Sequence, residues 1–121
     1  CAAALANINV FKKEKTIKNI QPKIRLFRVL LDKLSDNKFV GDARNHGLMA
    51  GVEVVMSKKT KKQFPMKNKT ARKICESMSF KGIIIRPIGD TIIIMPPLSI
   101  TAAELKRIFK ELNNSIEEVL A

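Results

Sequence analysis

The stretch "IIIRPIGDTIIIMPP", Ile83–Pro97, sets one guanidinium between two runs of isoleucine. Arg86 carries a permanent charge, and its planar fork of N–H donors matches a carboxylate. Pro87 restricts Arg86 to extended backbone, so the fork is held in one direction. An arginine so placed either orients a ligand's carboxylate at the edge of a sheet or closes an internal ion pair with Glu53 or Asp90, and the residue types leave both open. Asp42 and Arg44 can pair across a turn. His46, the only histidine, falls in the turn-like Asn45-His46-Gly47 and reads as a capping or solvated side chain. Cys75 stands on a helix face and reads as a small core residue, and Cys1 takes the same reading. Gly47 and Gly51 bracket a strand and suit close backbone approach. The chain has no CxxC, no clustered metal spacing, no G-x-S-x-G and no glycine-rich phosphate loop. No catalytic group, cofactor ligand or metal set emerges, which leaves Arg86 as the one candidate for holding a substrate.

Holding Arg86 requires a frame, and the apolar spacing describes one. "CAAALANINVFKKEK" reads as helix, continued by Ile17, Ile20, Ile24, Phe27, Leu31 and Leu34 at three- and four-residue steps, a pattern that buries one face. Pro22 suits the first turn of a second helix or a kink. Ser35–Lys38 ends the helical region. Phe39–Arg44 and Leu48–Met56 read as a strand pair turning at Asn45-His46-Gly47. Ser57–Pro65 is a charged loop, and Met66–Phe80 is helix-like, with Ala71, Ile74, Cys75 and Met78 on one face and Gly82 at its end. Ile83–Ile85 and Thr91–Met95 read as buried strands joined by the turn "RPIGD". "TAAE", Thr101–Glu104, is a capping box opening a helix that runs to about Leu120. The fold expected is α+β, a small mostly antiparallel sheet covered by helices.

Composition narrows the function classes. The 121 residues suit about one domain, and 45% are apolar, enough for a core. The net charge of +12 permits contact with nucleic acid or an acidic membrane. The excess is mostly lysine, 17 against 6 arginines, and is spread over the first helices, the "KKTKK" loop and the last helix. Tyrosine and tryptophan, the usual base-stacking platforms, are absent. A free-standing basic interaction domain is therefore the weaker alternative. Two cysteines without a secretory segment, and no apolar run near 20 residues, suggest a soluble cytoplasmic protein. The alanine-rich start at Cys1 has no capping residue before it and reads as a helix already under way, as in a piece of a longer protein.

"CAAALANINVF", "VGDARNHGLMAGVEVV", "KKTKKQFP" and "GIIIRPIGDTIIIMPPLSIT", in this order, resemble the C-terminal portion of class III pyridoxal-phosphate aminotransferases along essentially the whole chain. The similarity points to the branch serving biotin synthesis; branches acting on ornithine, 4-aminobutyrate and other ω-amines share much of the pattern. The resemblance implies fold type I: a large cofactor domain, a small domain built from both chain ends, and a homodimer with active sites at the subunit interface. It divides the chain into a helical link from the large domain, residues 1–34, and the C-terminal small domain, residues 35–121. It implies pyridoxal 5'-phosphate as cofactor, held by a lysine, an aspartate, an aromatic residue and phosphate ligands that lie upstream of Cys1. The segment alone would then be inactive, with no cofactor bound. Arg86 matches the family arginine that binds the substrate's carboxylate. Asp42, Arg44, Gly47 and Gly51 match positions with structural roles.

Overall fold

The computed structural model describes all 121 residues. The helical first third is three helices: α1 (Ala2–Lys13), α2 (Thr16–Asn19) and α3 (Gln21–Ser35). Lys15 breaks the run by adopting a left-handed conformation at φ 49°, and Pro22 occupies the first turn of α3, where its missing N–H costs nothing. Only α3 buries a face, through Phe27, Leu31 and Leu34. Neither α1 nor α2 buries any residue, and Leu5 and Ile17 are 62% and 60% exposed, so helical periodicity there marks a face this chain does not cover.

Two antiparallel hairpins follow. β1 (Val40–His46) and β2 (Met49–Val54) pair from Val40 opposite Val54 to His46 opposite Met49. The strand therefore runs through Asn45 and His46, and the turn is Gly47-Leu48, with Gly47 at φ +60° as the first position of a two-residue hairpin loop requires. The second hairpin is likewise displaced from the sequence reading. Ile83–Ile85 is not strand; β3 is Arg86–Ile88 and β4 is Thr91–Ile94, joined by Gly89-Asp90 with Gly89 at φ +60°. Ladder register decides this, because Ile88 faces Thr91 and leaves only two residues for the loop. The four strands lie in the order β1-β2-β4-β3, all antiparallel, with β3 at an edge where Pro87 needs no ladder donor.

α4 (Thr70–Phe80) starts four residues later than its pattern suggests, because Met66–Asn68 forms a 3₁₀ turn and Lys69 is left-handed. It closes in a Schellman motif: Gly82 sits at φ +78°, its N–H donates to Ser79 O, and the Ile83 N–H donates to Met78 O. α5 (Ala102–Leu120) opens with the expected capping box, in which Glu104 N–H donates to Thr101 Oγ1 at 3.2 Å and Thr101 N–H donates to Glu104 Oε2 at 2.8 Å. The backbone donor at Thr101, then its hydroxyl, hold the Glu104 carboxyl below its ordinary value. A carboxyl lowered by folding stabilises above its unfolded pKa, and that contribution disappears as pH falls through the lower folded value. Thr101→Ala should cost about 1 kcal/mol at neutral pH. The gap from wild type should narrow in urea melts below the usual glutamate range; a gap that widens there would remove the box as its cause.

α3, α4 and α5 cover one face of the sheet. The core joins Phe27, Leu31, Ile74, Met78, Leu105, Phe109, Leu112 and Ile116 from these helices to Val52, Val54, Ile92 and Ile94 from the strands. Phe27 and Phe109 meet edge to face with centroids 5.2 Å apart. Cys75 belongs to this core, and burial, then the neighbouring Glu76, pushes its thiol up to about 11. Cys1 is exposed rather than packed. At the irregularity between Val40 and Asp42, a Cβ on Gly41 would lie 2.5 Å from Val55 Cγ1. Gly41→Ala should therefore cost about 1–3 kcal/mol by overpacking. In a double-mutant cycle, Val55→Ala should relieve part of that loss; strict additivity would exclude the clash as its cause.

Candidate substrate-binding face

The sheet's other face is bare. Alternation along each strand turns Met49, Gly51 and Glu53 of β2, Thr91 and Ile93 of β4, and Arg86 and Ile88 of β3 away from the helices. Ile84, Ile88 and Met95 are 82%, 72% and 66% exposed, so part of what reads in sequence as buried strand, together with the turn residue Ile88, forms an open apolar surface. Period-2 alternation could have shown it: Ile84, Arg86 and Ile88 share one parity, and a charge at its centre marks the open side.

Arg86 stands at the start of β3, not in the turn, on this exposed face. Register puts it in one row with Ile93, Gly51 and Arg44, since Arg86 faces Ile93, Ile93 faces Gly51 and Gly51 faces Arg44. Arg44 is three strand spacings away, about 14 Å. The two arginines differ in what they hold. Arg44 pairs with Asp42, two residues along the same strand face, so that pairing forms along a strand and not across a turn. Arg86 takes part in none of the chain's four ion pairs and donates no side-chain hydrogen bond. Glu53, one candidate partner, instead accepts from Gln63 Nε2 at 3.3 Å. The internal ion pair that competes with ligand binding in the sequence reading is thus not formed.

A groove of about 560 Å³ runs along β3 and β4, lined by isoleucines, Pro87, Met95, Pro96 and Pro97, with Arg86 its only charged residue. A guanidinium over apolar ground, with its donors free, can orient a carboxylate more strongly than one in open water. The lining holds no lysine, histidine or carboxylate, so it offers no group for proton transfer. No cluster of three His, Cys, Asp or Glu side chains suited to a metal occurs, and His46 lies exposed at the end of β1. No helix is long and apolar enough to cross a membrane. The lysines are spread over α1, α2, α3, α4, α5, the Ser57–Pro65 loop and the segments between these elements, and no single element gathers them.

The profile of the class III aminotransferases matches residues 1–116. The chain belongs to the class III aminotransferase family. This aminotransferase chain is 46% identical over 118 residues to the adenosylmethionine-8-amino-7-oxononanoate aminotransferase of Methanocaldococcus jannaschii, covering 98% of the chain and 26% of that relative. It is 38% identical to the Aquifex aeolicus enzyme of the same name, covering 98% of the chain and 26% of the relative. It is 31% identical to the putrescine–pyruvate aminotransferase of Pseudomonas aeruginosa, covering 99% and 26%. The crystal structure of the M. jannaschii enzyme superposes on 98% of the chain and 27% of its own with a TM-score of 0.94. The chain spans about a quarter of the length of the curated relatives it matches. The small antiparallel sheet with its helices is the aminotransferase fold over this stretch.

Proposed function

We propose that this chain forms part of an aminotransferase that moves an amino group from S-adenosylmethionine to 8-amino-7-oxononanoate, giving 7,8-diaminononanoate in biotin synthesis. The observation that carries the reading is the near-complete match of this chain to the M. jannaschii enzyme of that name. Arg86 is the substrate-binding residue, presenting a free guanidinium to a carboxylate in the groove beside β3. It positions and does no proton chemistry. Residues 35–121 act as the C-terminal small domain and 1–34 as the link to a cofactor domain, in a cytoplasmic homodimer. The groove lining has neither a lysine for the aldehyde of pyridoxal phosphate nor a carboxylate for its ring nitrogen, so these residues do not fit the cofactor itself. In this reading the rest of the protein holds it.

The test is product analysis of the intact protein given 8-amino-7-oxononanoate with one amino donor at a time. Formation of 7,8-diaminononanoate with S-adenosylmethionine is expected. A second reading, an ω-aminotransferase, is favoured by the similarity to the putrescine–pyruvate enzyme. Turnover of putrescine with pyruvate, and none with S-adenosylmethionine, would establish it and overturn the first.

A further inference from the structure

The helical side of the sheet, turned away from Arg86, carries a second concavity. α3 and the first half of α5 pack side by side and leave a groove of about 320 Å³ between them, the lower end of the size range for small-ligand sites. Leu30, Leu34 and Phe109 make its floor, and the edge-to-face contact with Phe27 keeps the Phe109 ring in place. Lys33, Lys106 and Lys110 stand around the rim, all exposed and none in an ion pair.

The carboxylates of α5 are engaged elsewhere, and Asp36, which follows α3 and pairs with no side chain, does not line the groove. On α5, Glu104 closes the capping box, Glu111 and Glu118 face Lys81, and Glu117 accepts from Asn37 Nδ2 at 2.8 Å. Asp32, the one carboxylate within α3, does not line the groove. Three ammonium groups therefore surround an apolar floor without a counter-charge from the groove itself. We infer that this groove binds a phosphomonoester borne on a compact apolar group, with the phosphate among Lys33, Lys106 and Lys110 and the apolar body on Leu30, Leu34 and Phe109. Lysines bind phosphate as mobile point charges, and a dianion with three acceptor oxygens uses all three where a monocarboxylate cannot. The site lies on the opposite face of the sheet from Arg86 and stands whatever the amino donor is.

The experiment titrates the intact protein with phenyl phosphate while following the methyl resonances of Leu30 and Leu34. Saturable shifts are expected, weakened about tenfold or more in K33Q/K106Q/K110Q, largely restored in K33R/K106R/K110R, and diminished by added salt. Inorganic phosphate and benzyl alcohol, each carrying half of the recognition, should bind more weakly. These exposed substitutions should leave methyl dispersion unchanged, which separates lost binding from lost fold. The inference is overturned if no saturable shift occurs, if the glutamine triple variant binds as well as wild type, or if inorganic phosphate matches phenyl phosphate.

Discussion

Arg86→Ala in the intact enzyme should raise KM for carboxylate substrates about 10- to 100-fold while leaving the fold within about 0.5 kcal/mol of wild type. The kinetic figure follows from a hydrogen-bonded charge pair, roughly 1.5–3 kcal/mol, with a factor of ten for each 1.4 kcal/mol. The stability figure follows from the observed geometry: an exposed edge-strand side chain without an ion pair or hydrogen bond has little to lose on truncation. Arg86→Lys keeps the charge but not the two-pronged donor, so it should recover only part of the loss. An amino donor lacking a carboxylate should be nearly indifferent to either change. Steady-state kinetics with paired substrates, read beside urea melts, separate the two roles. Substantial destabilisation with unchanged KM would make Arg86 a structural residue.

Phe27→Ala should cost about 3–5 kcal/mol, much of the roughly 5–15 kcal/mol that holds a domain together. Phe27 is completely buried, meets Phe109 edge to face, and lies where α3 joins α5 and the sheet. Its removal leaves a cavity at the junction of three elements, where no single shift of backbone can close it. Val29, two residues on and 60% exposed, provides the control: Val29→Ala should change stability by less than about 0.5 kcal/mol. Urea midpoints of the two variants should differ widely. Equal midpoints would mean that α3 is not anchored through Phe27.

These two residues also show how much the sequence reveals. Phe27, Leu31 and Leu34 on α3 and Ile74, Cys75 and Met78 on α4 are legible as core because helical spacing gathers them on one stripe. The capping box at Thr101 and the glycine ending α4 are legible because their chemistry is local, completed within a few residues. The same local rules misplace the second hairpin, since isoleucine runs on both sides of Arg86 suit a strand equally well. Register against β4 selects Arg86–Ile88, and register depends on residues outside the run.

Periodicity also cannot say whether an apolar face is covered. Leu5 and Ile17 on the first helices, and Ile84 and Ile88 beside Arg86, carry the signature of buried residues and are open in this chain. The motif around Arg86, taken together with "VGDARNHGLMAGVEVV" and the other stretches in order along the chain, was enough to suggest the family and a ligand for the guanidinium. Sequence alone did not distinguish a free fork from one closed on Glu53 or Asp90, because that depends on which side chains the sheet brings within reach. Folding placed Arg86 in a row with Ile93, Gly51 and Arg44, directed Glu53 to Gln63, and left the Arg86 guanidinium unpaired. Helices, caps and the core stripe were thus determined by sequence, through interactions spanning a few residues. The strand register, the bare face and the freedom of Arg86 were decided by tertiary structure, through contacts between residues far apart in the chain.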